Sequence, residues 1–114
     1  MNPELKRTIQ SLRSASRKGG PAIWAALADE LEKPKRRRNS LNLSRIERHT
    51  QAEDVVAVPG KVLASGSLTH PVTVAAFSFS EGAREKIALV KGRAITLTSL
   101  LEEEVEPSKI KILK

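Results

Sequence analysis

Val72-Thr73-Val74-Ala75-Ala76-Phe77-Ser78-Phe79 is the longest apolar run in the chain, and together with residues 80–97 it decides the fold. A nearly unbroken apolar stretch rich in β-branched and aromatic side chains suits a strand buried on both faces, as in a parallel sheet covered by helices. Ser80 stands where a helix N-cap would, Ala83, Ile87 and Val90 recur at helical spacing behind it, and Gly92 ends the helix. Ala94 to Leu97 then returns as a strand. This strand, helix, strand unit predicts an α/β fold.

Working outward, Val55 to Val58 reads as a strand, Pro59-Gly60 as a turn, and Lys61 to Ser65 as a further extended piece ending at Gly66. Downstream, Thr98 or Ser99 opens a last short helix, with Ser99 and Glu102 forming a capping box. Ile110 to Leu113 closes the chain as a strand after Pro107. The first fifty residues read differently. Asn2, Pro3 and Glu4 are N-cap, first helical residue and dipole-matching acid of a helix with Leu5, Ile9 and Leu12 on one stripe, ending at Gly19-Gly20. Pro21 begins a second helix, with Ile23, Trp24, Leu27 and Leu31 on its buried face and Glu30 and Glu32 on its wet one; Pro34 ends it. The two helices predict a hairpin. Ser44 and Glu47 make a capping-box pair at the start of a short helix displaying Arg45, Arg48 and His49. The organisation expected is one domain over 1–114, with a basic helical half (1–50) and a neutral βα half (51–114) that supplies the core. Trp24, Phe77 and Phe79 are expected in that core.

Charge separates these halves more sharply than hydropathy does. Residues 1–50 hold 12 Lys/Arg against 5 Asp/Glu, 12 − 5 = +7, and residues 51–114 hold 8 against 8. The whole surplus of the chain therefore lies in its first half, as expected of a surface that docks on a polyanion. Lys33-Pro34-Lys35-Arg36-Arg37-Arg38-Asn39 concentrates it in an exposed loop without an apolar side chain. Guanidinium forks can bridge phosphate oxygens and displace condensed counterions, which is the role expected of this loop. Lys6, Arg13 and Arg17 lie in one narrow sector of the first helix, over a span of about 16 Å at 1.5 Å per residue, enough to meet more than one phosphate. Arg45, Arg48 and His49 invite the same reading. With aromatics at 3% and placed on apolar faces, base stacking is scarce, so folded RNA gripped by backbone and shape is the expected partner.

Other classes find little support. His49 and His70 have no cysteine or carboxylate at metal-ligand spacing, Gly60-Lys61 lacks the remainder of a phosphate-cradling loop, and there is no cysteine. Glu102, Glu103, Glu104 and Glu106 read as a solvated face pairing with Lys109 and Lys111. No catalytic residue, metal, cofactor or small-molecule substrate is expected. No apolar run approaches the ~20 residues of a membrane span, so a cytoplasmic protein without a membrane role is expected. The rival reading is a DNA-binding regulator or compaction protein using the first two helices as a helix-turn-helix, against which the acidic end of the second helix speaks.

Four motifs in order carry a resemblance over nearly the whole chain: Leu31-Glu32-Lys33-Pro34 followed by arginines, Asn42-Leu43-Ser44-Arg45-Ile46-Glu47-Arg48, Val58-Pro59-Gly60-Lys61-Val62-Leu63-Ala64-Ser65-Gly66, and Val72-Thr73-Val74-Ala75-Ala76 leading into Phe79-Ser80. The sequence resembles the eighteen-e family of archaeal and eukaryotic large-subunit ribosomal proteins, relatives of bacterial large-subunit protein fifteen. Its compact size is closer to the archaeal members. The resemblance implies an α/β domain on the large subunit that binds its rRNA among neighbouring ribosomal proteins and has no catalytic role. It also implies RNA contact at Lys33, Lys35, Arg36, Arg37, Arg38, Asn42, Arg45, Arg48, Gly60 and Lys61, with Gly60 admitting a close backbone approach to phosphate.

Overall fold

The computed structural model describes residues 2–34, 39–103 and 105–114. Among the described residues, five strands, all parallel, form one sheet: β1 (Asn39–Asn42), β2 (Val55–Leu63), β3 (Thr73–Phe79), β4 (Arg93–Thr96) and β5 (Ile110–Ile112). Their order is β1-β2-β3-β4, and β5 also pairs with β2. Helices α1 (Pro3–Arg17), α2 (Ala22–Leu31), α3 (Leu43–His49), α4 (Glu81–Leu89) and α5 (Leu97–Glu102) complete the fold, with a 3₁₀ turn over Pro107–Lys109. The α/β expectation is borne out.

Alternation along the central strands creates two cores. Val56, Val58, Val74 and Ala76 point to one face and pack with Leu43 and Ile46 of α3 and Ala83 and Ile87 of α4. Ala57, Ala75 and Phe77 point to the other, against Leu5, Ile9 and Leu12 of α1, Trp24, Leu27 and Leu31 of α2, and Leu97 and Leu100 of α5. Both faces of the sheet are thus covered, which is why its strands read as continuous apolar runs. The core is not confined to the second half, from which it was expected mainly to come: α1, α2, β1 and α3 all bury side chains in it.

The Pro59-Gly60 turn is not a turn. β2 runs through it, and the register against β3 jumps from Val58↔Ala76 to Lys61↔Ser78, so two residues of β2 oppose one of β3. A bulge tolerates proline inside a strand because the missing N–H falls where the ladder is already interrupted. At the same point β2 changes partner on its other edge, from β5 (Val55↔Ile110 to Ala57↔Ile112) to β1 (Asn39↔Gly60 to Asn42↔Leu63).

Most helix boundaries follow the expected cap chemistry. The Asn2 side chain accepts from the Glu4 amide at 2.7 Å, and Ser80 Oγ accepts from the Ala83 amide at 3.2 Å. The left-handed residue ending α4 is Lys91 (φ 64°), and the Gly92 amide then donates back to Ile87 O. Two caps are corrected. Thr96 caps α5, its hydroxyl accepting from the Ser99 amide at 3.1 Å, so neither Thr98 nor Ser99 opens that helix. Helix α3 follows Asn42 directly, whose side chain makes no cap bond, so Ser44 lies inside the helix, and Glu47 turns instead to Thr69, accepting from its amide at 3.0 Å and its hydroxyl at 2.6 Å.

Candidate nucleic-acid interface

Helix α1 packs along α2, and the ion pairs between them decide which α1 cations face outward. Arg13 lies between Asp29 (2.7 Å) and Glu32 of α2. It therefore joins the hairpin together instead of extending the expected stripe. Lys6 and Arg17 are exposed, with no ion pair among the described residues, and so are their neighbours Arg7 and Lys18. The expected wet position Glu30 is corrected: it is 6% exposed, taken by Lys33 and, at 2.9 Å, by Lys114. Lys33 keeps an exposed side chain while holding that carboxylate.

On the opposite side of the sheet, α3 presents Arg45, Arg48 and His49 to solvent. Arg48 Nε donates weakly to Ser44 O at 3.4 Å within its own turn, leaving its other donors for a partner. Helix α3 is held from behind by His70, whose Nδ1 lies 3.1 Å from Glu47 and whose Nε2 lies 2.9 Å from the Thr50 hydroxyl. Gly66 (φ +88°) seats the loop after β2 against Ser44, where the Ser44 amide donates to Ser65 O at 3.1 Å. Lys86 of α4 reaches across to the carbonyls of Ala64 and Gly66, 2.8 Å each. The α3 cations thus stand on a braced element.

Asn42 is exposed and Lys61 is exposed two residues beyond Pro59, whereas Gly60 is buried inside β2 in register with Asn39. Burial is at odds with the expected close approach of Gly60 to a phosphate. The expected contacts Lys35, Arg36, Arg37 and Arg38 lie outside the described residues. Phe77 and Phe79 are only half-buried, and Phe79 is covered by the Arg84 guanidinium 4.9 Å from its ring centroid. Trp24 is buried as expected. Lys109 pairs with Glu106 at 3.7 Å, but Lys111 goes to Asp54 (2.8 Å) and Glu103 to Arg93 (2.7 Å).

The family model described as "Ribosomal proteins 50S-L15, 50S-L18e, 60S-L27A" matches residues 26–95, from the middle of α2 through β4. The chain belongs to this ribosomal-protein family. Relatives include "Large ribosomal subunit protein eL18" of Methanothermobacter thermautotrophicus, 45% identical over 99% of this chain and 93% of the relative. The protein of that name from Haloarcula marismortui is also 45% identical, over 99% of this chain and 97% of its own. That from Sulfurisphaera tokodaii is 46% identical over 81% of this chain and 78% of its own. The resemblance drawn from the four sequence motifs is borne out.

In this member of the family, Arg7, Lys18, Arg84 and Lys86 are surface cations that sequence reasoning left out. Arg7 and Lys18 adjoin Lys6 and Arg17, so adjacency was the available signal. Nothing local marks Lys86, which comes beside Ser44 through the fold.

Four carboxylates are held below their ordinary range: Glu30 chiefly by Lys33 and then Lys114, Asp54 by Lys111 and the Gln51 amide, Glu47 by the Thr69 hydroxyl and amide, and Glu103 by Arg93. A carboxylate depressed in the folded state contributes stability above its unfolded value, and that contribution is lost as pH falls through the folded one. Urea midpoints are therefore expected to be level from pH 7 to about pH 5 and to fall steadily below about pH 4.5. A midpoint unchanged at about pH 3 would show that these pairs contribute nothing.

Proposed function

We infer that the chain is a structural constituent of the large ribosomal subunit in the cytoplasm, holding folded large-subunit rRNA among neighbouring ribosomal proteins, without a catalytic step. The observation that carries the reading is how the first half spends its acids. Asp29 and Glu32 are taken by Arg13, Glu30 by Lys33 and Lys114, and Glu47 by Thr69 and His70. Lys6, Arg17, Arg45 and Arg48 remain exposed with no acid partner among the described residues. With four of the first half's five carboxylates, all but Glu4, held by partners within the protein, its surface cations are left largely uncompensated, the electrostatic condition for a phosphate partner. Lys35, Arg36, Arg37, Arg38, Asn42 and Lys61 join them in this reading, and Arg13 serves the hairpin. The names of the relatives support the subunit assignment.

Against a groove-reading helix, the exposed positions of α2 are Ala22, Ala26 and Asp29, with no cation or amide to meet base edges. The test of the RNA reading is salt dependence. With roughly six phosphate contacts, affinity for a large-subunit rRNA transcript is expected to fall about a thousandfold between about 50 and about 200 mM salt in a filter-binding titration. A flat response, or tighter binding to duplex DNA at equal salt, would count against it.

A further inference from the structure

Beside the middle of β3 and the carboxyl end of β4, the start of α1 and the start of α5 border a half-open cavity of about 260 Å³, lined by Glu4, Arg7, Thr8, Phe77, Leu97 and Thr98 together with Ala76 and Thr96. Its volume lies just under the range of about 300–1,000 Å³ for drug-sized ligands, which suits one planar ring system and excludes a duplex. The half-buried ring of Phe77 gives such a ring a surface to lie against.

The charged groups narrow the choice. Among the described residues, Glu4 is the one acid of the first half whose carboxylate has no ion pair or hydrogen bond, and Arg7 also has neither. They stand three residues apart on one helix, the spacing that makes side chains neighbours. A carboxylate on a phosphate-binding face is repelled by the phosphates, whereas the N–H groups of a base can donate to it. Guanine has adjacent N1–H and N2–H donors for a carboxylate, and O6 and N7 acceptors matched to an arginine fork.

We propose that this cavity receives one unstacked guanine of the large-subunit rRNA, Glu4 accepting from N1–H and N2–H, Arg7 donating to O6 and N7, and Phe77 packing on the ring. The proposal rests on the RNA-binding reading above but assigns a base contact outside its phosphate contacts. The two predict opposite signs for Glu4→Ala. Deleting a negative charge from a surface that meets only phosphates leaves RNA affinity equal or higher. Removing the acceptor of a bidentate base contact lowers it by about tenfold or more.

The experiment binds wild type and Glu4→Ala to the large-subunit rRNA transcript, with urea unfolding to show that the variant folds, and probes the RNA with kethoxal, which attacks free N1 and N2 of guanine. The expected result is weaker binding by Glu4→Ala and one unpaired guanine that wild type shields and the variant does not. Equal or tighter binding by the variant, or identical footprints, overturns the guanine site while the salt dependence of wild type still supports the RNA reading. Wild type that does not bind the transcript overturns both.

Discussion

Gly66→Ala is expected to destabilise the protein by roughly 3 kcal/mol, the sum of a left-handed backbone forced on a residue with a side chain and a clash in a packed joint. A Cβ at Gly66 would lie 2.5 Å from Ser44 Cβ and 2.8 Å from Ser44 N, at a φ of +88°. Gly19 supplies the control, since its φ is +80° with nothing within 4 Å of an added Cβ. Gly19→Ala therefore carries the backbone cost alone, about 1 kcal/mol. Urea unfolding of the two variants separates the terms, and equal losses would show that the Ser44 contact relaxes freely. Because Gly66 also braces the start of α3, its variant is expected to bind rRNA more weakly at temperatures where it is still folded. The Gly19 variant is expected to bind as wild type does.

The second large effect belongs to RNA binding. Replacing Arg36, Arg37 and Arg38 together with alanine is expected to weaken rRNA binding roughly a hundredfold, at about 1 kcal/mol for each charge-assisted phosphate contact. The log–log salt slope should become shallower by about two to three units. The run has no apolar side chain to bury, so the thermal midpoint should stay close to that of wild type, within the ~0.5 kcal/mol typical of surface substitutions. A large loss of stability with an unchanged salt slope would make the run a structural element instead.

Where the chain's own chemistry settles a boundary, the sequence was legible; where a distant residue settles it, it was not. The unit from β3 through α4 to β4 follows from one apolar run, the Ser80 cap and the spacing of Ala83 and Ile87, all local signals. Strand β1 was invisible because Asn39-Ser40-Leu41-Asn42 has no β-branched residue, and its ladder to β2 does the work that propensity does not. Pro59-Gly60 is locally a turn signal, overruled by pairing on both edges of β2. Glu30 looked solvated because Lys114, which covers it, comes from the far end of the chain. The candidate site divides the same way. Net charge is a sum and can be read in any order, but that Arg13 is occupied and Arg17 is not depends on where Asp29 and Glu32 come to rest.

The sheet stands between the cations of α1 and those of α3, so two layer spacings of about 10 Å each separate them. That distance exceeds the screening length of about 8 Å at physiological ionic strength, and the two sets barely sense each other through solvent. Losses from neutralising one flank and then the other should simply add. On the proposed RNA-binding reading, a ligand strand long enough to satisfy both would have to wrap a border of the molecule, or else two separate strands would be tied together by it, with the protein as a rivet between them.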